Sequence, residues 1–176
     1  IGDVCDKGVG AAMFMALFRS LIRALSLQQT ADLNEPLSQK TKWIQELLQS
    51  TIQQTNNYIA VTHEQACMFA TLFFGVLDTK TGDLHYVNCG HEPPMLLRTN
   101  GRLDDLPPTG PAAGSFPDIA FRCQSVQMSP GDLFFACTDG VIESPDPNDQ
   151  IFSKDRLEVI LQSPHRSLAD MLGSIE

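Results

Sequence analysis

Two aspartates in this sequence stand at the ends of short strand-like segments. Asp139 comes just after the apolar run 133–137 and is followed by a glycine, and Asp3 lies in the segment 1–4, which resembles the tail of a strand. A carboxylate at the end of a rigid strand is well placed to face a ligand. Aspartates in such positions more commonly open turns or cap helices. Spacing alone leaves both interpretations open.

The functional interpretation brings the two carboxylates into one site. At about 4 Å and an effective dielectric constant of about 20, their repulsion would be about 4 kcal/mol. A proton, a cation or a network of hydrogen bonds would have to hold them together. Hard oxygen ligands select Mg²⁺ or Mn²⁺, and a bound divalent ion lowers the pKa of its water towards neutrality. Such a site would support hydrolysis.

Other candidate groups are less specific. His91 in the segment 88–94 could be a general acid or a ligand, but a histidine beside Gly and Pro more often shapes a turn. The segment 7–10, Lys-Gly-Val-Gly, could hold an anion through backbone N–H groups, although it is not a P-loop. The sequence has no G-x-S-x-G and no H-E-x-x-H, which excludes the usual serine-hydrolase and zinc-protease patterns.

Hydrophobic periodicity predicts the helices. Residues 9–27 are apolar on nearly every face of a helical wheel, so we expect a helix covered on more than one side. The polar segment 28–39, with Pro36, reads as a loop. Two short helices are predicted at 156–161 and 168–175. A second long helix should be amphipathic and half exposed, with an apolar stripe formed by Ile44, Leu47, Leu48, Ile52 and Ile59.

Three strand pairs are predicted between residues 68 and 137. The segments 68–78 and 84–88 flank a turn at 79–82. The segments 95–98 and 102–106 flank Asn100-Gly101, a favoured two-residue hairpin turn. The segments 119–125 and 133–137 flank Pro130-Gly131-Asp132. Helices, then antiparallel strands, then helices predict the α+β class.

Composition restricts the class of protein. The formal net charge of -9 argues against a nucleic-acid surface, and 176 residues with 43% hydrophobic side chains suit one domain, 1–176. No apolar run reaches the length of a membrane span, because Arg19, Ser20 and Arg23 interrupt the most apolar segment. The five cysteines form no C-x-x-C pair, which favours reduced, buried thiols in a cytoplasmic protein.

Several segments, taken together, resemble one family. Gly2-Asp3-Val4, Lys7-Gly8 and Ala11-Ala12 are similar to the G-D-V-x-x-K-G-x-x-A-A segment of SpoIIE/RsbU-type phosphatases. Further similar segments follow in the family's order: 68–78, 86–94, 106–111, 130–143, and the late Phe152 with Arg156-Leu157. Each motif is weak alone, but their order and spacing make the resemblance specific.

The resemblance implies a domain of the PPM (protein phosphatase 2C-like) superfamily, an α-β-β-α sandwich with two antiparallel sheets between helices. It implies a pair of Mn²⁺ or Mg²⁺ ions in the complete domain and hydrolysis of phosphoserine or phosphothreonine by metal-bound water. By matching position, Asp3 is the carboxylate that bridges the metals, the carbonyl of Val4 is a neighbouring ligand, and Asp139 binds the second metal. Lys7 and His91 match motif positions that have no assigned role.

In such relatives the substrate is typically a phosphorylated anti-anti-sigma (STAS) protein in bacterial partner switching. The catalytic domain follows a sensor such as a GAF, PAS or receiver domain, and a homodimer is left open. No nucleic-acid partner is expected.

This chain departs from the family pattern in two ways. It has Cys5-Asp6 where Gly or Ser-Gly is common, and Glu92 where Asn is common. The family's upstream G-D-x-x-D and downstream D-D-x-T segments have no counterpart, so we expect the sequence to begin and end inside the domain. The rival hypothesis is a pseudophosphatase that binds a regulatory partner without catalysis.

Overall fold

The computed structural model describes residues 1–28 and 37–175, and within them it has seven strands, five α-helices and one 3-10 turn. These residues fall into two compact units. Unit 1 comprises Ile1–His91 and Pro107–Met128, and unit 2 comprises Glu92–Leu106 and Ser129–Glu176. The elements are β1 (Gly2–Val4), α1 (Val9–Gln28), α2 (Leu37–Thr62), the 3-10 turn (Glu64–Ala66), β2 (Ala70–Leu77), β3 (Asp83–Cys89), β4 (Met95–Leu97), β5 (Leu103–Asp105), β6 (Gln124–Gln127), β7 (Leu133–Phe135), α3 (Asp139–Ile142), α4 (Lys154–Gln162) and α5 (Leu168–Gly173).

The sheet of unit 1 has β1 at its edge. Its strand order is β1-β2-β3-β6, and all neighbouring strands are antiparallel. One face of this sheet packs with α1 and α2, and alternate residues of the strands point to the opposite face. The buried members of the core are Val4, Phe18, Ile44, Leu48, Ile52, Ile59, Ala70, Leu72, Val87, Cys89, Ala113 and Phe121.

Unit 2 contains a three-stranded antiparallel sheet, β5-β4-β7, and the short helices α3, α4 and α5. Serine side chains begin two of these helices: Ser153 accepts a hydrogen bond from the backbone N–H of Arg156, and Ser167 accepts one from that of Asp170. The predicted helices at 156–161 and 168–175 are confirmed as α4 and α5, although α5 ends two residues earlier than predicted, at Gly173. The buried core consists of Met95, Cys137, Leu157, Leu161 and Met171.

The apolar stripe of the second long helix is confirmed. All five of its predicted residues are buried on α2, and Leu48 and Ile52 are fully inaccessible. Burial of one such side chain contributes about 1.5–3 kcal/mol to folding, so the stripe anchors α2 to the sheet. Of the predicted loop 28–39, residues 29–36 lie outside the described residues, and 37–39 belong to α2.

The prediction that the first helix is covered on more than one side is wrong for the described part of the chain. Phe18 is the buried residue of α1, whereas Val9, Met13 and Leu27 are largely exposed. The helix packs through one face on the core of unit 1.

By length and composition alone, α1 could also cross a membrane, with a mean hydropathy of 1.4. Core helices and signal sequences pass the same test, so this is weak evidence.

The third predicted strand pair is also wrong. Strand β6 pairs with β3, where Ser125 lies opposite His85, and β7 pairs with β4, where Phe134 lies opposite Leu96. The turn after β6 thus leads from the sheet of unit 1 to the sheet of unit 2 and does not close a hairpin. Alternation and turn residues identified both segments as extended, but they do not specify the partner strand.

The other two hairpins are confirmed, with a different turn in the second. The N–H of Arg98 donates to the carbonyl of Arg102 at 2.8 Å, and the N–H of Gly101 donates to that of Arg98 at 2.9 Å. Three residues therefore form the loop, and of these only Gly101, with φ of 83°, has positive φ. This is the three-residue loop that ends in a left-handed residue, in place of the predicted two-residue turn.

The cysteines are free, as predicted, but only two are buried. Cys89 and Cys137 lie in the cores, whereas Cys5 and Cys123 are half-buried and Cys67 is exposed. Burial raises the pKa of the Cys89 thiol to about 12, so this residue behaves as a small apolar side chain.

Candidate metal centre

Asp3 occupies the middle of β1, with its side chain exposed and directly opposite Thr71 of β2. Because alternate residues point to opposite faces, Asp3 faces away from the helix-packed core that Val4 enters. Gly2 permits the close approach of the two strands. A Cβ at this position would overlap the side chain of Leu72 and lie 3.0 Å from the carbonyl oxygen of Thr71.

The backbone carbonyl of Val4 points away from β2. Ile1 and Phe73 exchange two backbone hydrogen bonds, of 3.1 and 3.0 Å. Bonded and non-bonded positions alternate in an antiparallel pair, so Val4 and its partner Ala70 form a non-bonded position. Ala70 accordingly exchanges its bonds with Ala113, at 2.9 and 2.8 Å. The Val4 oxygen therefore lies at the edge of the described sheet, next in sequence to the exposed carboxylate.

Asp139 is the first residue of α3 and is exposed. Its carbonyl accepts a hydrogen bond from the N–H of Glu143 at 2.8 Å, and Thr138 is the N-cap. A carboxylate in the first helical turn interacts favourably with the helix dipole, but Thr138 is the N-cap of α3, so Asp139 does not itself cap the helix. Asp3 belongs to unit 1 and Asp139 to unit 2, and their convergence stays a prediction.

The carboxylate of Asp139 affects the pKa of Cys137, a buried thiol in unit 2. Burial raises the pKa of Cys137, and the negative charges of Glu92 and Asp139 raise it further. Glu92, which replaces the family's asparagine, lies 4.0 Å from the ammonium of Lys154. Lys154 also pairs with Asp105 at 2.9 Å. The unusual carboxylate of Glu92 is therefore part of an ion-pair network within unit 2.

His91 lies against Thr71 in unit 1. Its Nδ1 is 3.0 Å from the Thr71 hydroxyl oxygen, and its side chain is almost completely buried. Asn88 holds the backbone of His91, accepting from its N–H at 2.8 Å and donating to its carbonyl at 3.2 Å. His91 thus takes part in the expected turn through its backbone, which is bonded to the side chain of Asn88. Its ring contacts Thr71 of β2. Sequence reasoning missed Thr71, although it is the single polar residue of β2.

The segment after β1 offers less to an anion than its sequence suggests. The N–H of Lys7 donates to the carboxylate of Asp6 at 2.8 Å and is thereby occupied. Asp6 has φ of 70° and Gly8 has φ of 88°. The left-handed conformation at residue 6 is one that glycine adopts without strain, which is consistent with the glycine that the resemblance led us to expect there.

Metal-binding chemistry is present in part. Within residues 1–28 and 37–175, no group of three or more His, Cys, Asp or Glu side chains is arranged to hold a metal ion. The carboxylate of Asp3 and the carbonyl of Val4 are nonetheless the oxygen ligands that Mg²⁺ and Mn²⁺ prefer. These donors fit a hard cation in kind. They are fewer than the roughly six ligands such a cation takes, so water and other residues have to complete its shell.

Comparison with known proteins places the chain in a family. The family model described as Stage II sporulation protein E (SpoIIE) matches residues 1–175. Protein IcfG of Synechocystis sp. is 41% identical over 187 residues, covering 100% of this chain and 29% of that protein. Phosphoserine phosphatase RsbU of Bacillus subtilis is 23% identical over 176 residues, covering 99% of this chain and 48% of its own length. The chain therefore spans less than half the length of these relatives.

Solved structures confirm the fold class. The RsbU and RsbW domains of Rv1364c from Mycobacterium tuberculosis match with 25% identity and a TM-score of 0.64, covering 92% of this chain and 41% of that one. The PP2C domain of Bacillus subtilis SpoIIE matches with 12% identity and a TM-score of 0.70, covering 99% and 47%. The catalytic domain of PstP, solved with 2 manganese ions, matches with 16% identity and a TM-score of 0.66, covering 99% and 76%. This chain shares their α+β fold of two antiparallel sheets flanked by helices.

Proposed function

This chain belongs to the SpoIIE family, as a SpoIIE/RsbU-type phosphatase domain, and we propose that its protein is a metal-dependent serine/threonine protein phosphatase. The observation that supports this most directly is the placement of the Gly2-Asp3-Val4 motif on β1. The edge strand presents an exposed carboxylate and an adjacent carbonyl oxygen, both supplied by a segment that matches the family.

In this proposal Asp3 would be a ligand of both metal ions, the carbonyl of Val4 would be a neighbouring ligand, and Asp139 would help to hold the second ion. The ions, when bound, stabilise charge on the phosphoryl group and activate water for hydrolysis. The chain itself supplies fixed negative charge at a defined position. Because β1 is joined to β2 through its backbone, Asp3 can hold its place despite its exposure.

We propose that the substrate is a phosphorylated STAS-type protein of a partner-switching pathway. Two comparisons support this: RsbU is named a phosphoserine phosphatase, and Rv1364c combines an RsbU with an RsbW domain. The net charge of -9 favours a protein substrate over nucleic acid. We also propose a cytoplasmic location and a sensor domain that precedes the phosphatase domain.

The rival function is that of a pseudophosphatase, and the absence of a three-residue acidic cluster among the described residues favours it. The two hypotheses agree on the partner and differ only on turnover. A pseudophosphatase would bind the phosphorylated partner and release no phosphate.

The deciding experiment measures phosphate release by the full-length protein from a phosphoserine-bearing STAS-type protein. We expect release that requires Mn²⁺ or Mg²⁺ and stops on addition of a chelator. Asp3→Asn should lower it by about a thousandfold, whereas Asp155→Asn, at an exposed position of α4, should leave it unchanged. Binding of the phosphorylated protein without any release, at saturating metal, would establish the pseudophosphatase instead.

A further inference from the structure

We infer that His91 is a positioning residue for Asp3, acting through the hydroxyl of Thr71. This inference rests on the proposed function, because it assigns a role beside the proposed metal ligand. The observation that carries it is the juxtaposition of three residues from unit 1. Asp3 and Thr71 are direct cross-strand partners, and Nδ1 of the His91 ring lies 3.0 Å from the hydroxyl oxygen of Thr71.

The register places the hydroxyl of Thr71 on the same face as the carboxylate. Ile1 and Phe73 form a bonded pair, so the pair two residues further along β1, Asp3 with Thr71, is bonded as well. Directly opposed residues in such a pair have Cα atoms about 5.5 Å apart and side chains on one face. The Thr71 side chain is therefore the nearest cross-strand neighbour of Asp3.

The backbone of His91 is held by a buried network of hydrogen bonds. Its backbone makes two hydrogen bonds with the side chain of Asn88, which is fully buried. Asn88 is tied in turn to Thr109: its N–H donates to the Thr109 hydroxyl at 3.0 Å, and its carbonyl accepts from the Thr109 N–H at 2.7 Å. A buried, connected network of this kind fixes orientation, since breaking one member leaves others unsatisfied.

The hydrogen-bond chemistry selects one arrangement of protons. A carboxylate is only an acceptor, so Thr71 must donate its single hydroxyl proton if it is to bond Asp3. The Thr71 oxygen is then free to accept, and the Nδ1 of His91 must be the donor. This predicts that Nδ1 of His91 carries a proton. In this arrangement the hydroxyl of Thr71 would orient Asp3, since ligating carboxylates are themselves oriented by hydrogen bonds.

The first test uses the metal-free, full-length protein labelled with ¹⁵N-histidine. Long-range ¹H–¹⁵N spectra distinguish the two tautomers, and His91→Asn assigns the His91 signals by their disappearance. We expect a protonated Nδ1 in the wild type and a shifted Nδ1 resonance in Thr71→Val. A protonated Nε2 with a bare Nδ1, or a spectrum indifferent to Thr71→Val, overturns the inference.

The second test compares variants in the phosphatase reaction. His91→Ala and His91→Gln should lower kcat by about 10- to 100-fold with little change in KM, the usual range for groups that orient a metal ligand. His91→Asn should retain most of the activity, because its amide can place a donor where Nδ1 lies. Thr71→Ser keeps the hydroxyl and should likewise retain most of the activity. Thr71→Val lacks the hydroxyl and should show the same loss of kcat as His91→Ala. Equal losses in folded His91→Asn and His91→Gln would reduce His91 to a packing role.

The two tests separate this inference from the proposed function. If the wild-type protein releases no phosphate, the proposed function fails, while the tautomer of His91 and its response to Thr71→Val still decide the hydrogen-bond chain. Suppose instead that the protein is active, that Thr71→Ser and Thr71→Val lose equal activity, and that His91→Asn and His91→Gln do so as well. The positioning role is then wrong, while the proposed function stands.

Discussion

Asp3 and Asp139 carry the same chemical group on very different supports. Asp3 lies on a strand of three residues, but a neighbouring strand pairs with it residue by residue, and a buried histidine reaches its cross-strand partner. Asp139 begins a helix of four residues that follows a short strand and is held through its backbone. We therefore expect the carboxylate on the sheet to be the more firmly placed of the two, because a paired strand restrains β1 along its whole length.

The two units that carry these aspartates also differ in the interactions that stabilise them. Within the described residues, the buried core of unit 1 has twelve members and that of unit 2 has five. Unit 2 relies more on charge: Arg98 pairs with Asp104 at 2.8 Å and with Asp132 at 3.0 Å, and Lys154 pairs with Asp105. We therefore expect unit 1 to depend on packing and unit 2 to be more sensitive to pH.

The largest effect should come from neutralising either carboxylate. In the full-length protein, Asp3→Asn and Asp139→Asn should each lower metal-dependent hydrolysis by about a thousandfold, or about 4 kcal/mol, since an amide cannot balance the cation. Steady-state kinetics measures the loss, and circular dichroism checks that the fold is intact. Near-wild-type turnover in Asp139→Asn alone would mean that only the carboxylate on the sheet takes part.

Truncation of the two cores should cost stability in both units. Leu48→Ala in unit 1 and Leu157→Ala in unit 2 each remove a fully buried side chain, and each should lower the free energy of unfolding by about 2–5 kcal/mol. Denaturant titration measures this change. The matched controls Val61→Ala and Val159→Ala, at exposed positions, should change it by no more than about 0.5 kcal/mol. A small cost at Leu157 would show that the second core contributes little.

Acid should weaken unit 2 through its ion pairs. A backbone hydrogen bond from Ser129, together with Arg98, lowers the pKa of Asp132 in the folded state. The unfolded chain therefore binds more protons between that lowered pKa and the ordinary value near 3.9, and stability falls as the pH drops through this window. Asp132→Asn should flatten this dependence in denaturant titrations from about pH 6 to about pH 2.5.

Unit 1 provides the comparison for this acid effect. There, Lys40 lowers the pKa of Asp78, and Asp78→Asn should flatten the same curve. In unit 2 the pKa values of Asp104 and Asp146 are lowered as well. An acid profile governed by Asp78 alone would contradict the assignment of acid sensitivity to unit 2.

The smallest effects should come from the two left-handed residues after β1. Asp6→Gly should stabilise the protein by less than about 1 kcal/mol, because glycine adopts positive φ without strain. Gly8→Ala should lower the stability by about 1–2 kcal/mol, because φ at this position is 88°. The added Cβ would meet no neighbouring atom, so the whole cost would come from the backbone conformation. Thermal unfolding of the pair gives both signs, and a shift in the same direction for both would show that conformation at these residues is not the cause.

The sequence by itself determined whatever depends on local pattern. The stripe on α2 follows helical spacing, and each predicted member is buried. The hairpin of β2 and β3 follows from two apolar segments separated by turn residues. The family was recognisable because Gly2-Asp3-Val4 and the later motifs occur in order. In each case the evidence lies within a few residues, where steric and hydrogen-bonding preferences act directly.

Only the tertiary structure decided which segments meet. The partners of β6 and β7 are strands far away in sequence, and nothing in their own residues separates β3 from β4 as a partner. The contact of His91 with Thr71 joins residues twenty positions apart across two strands. Periodicity identifies a buried face without identifying what covers it, because strand pairing is chosen by packing and backbone hydrogen bonds of the whole sheet.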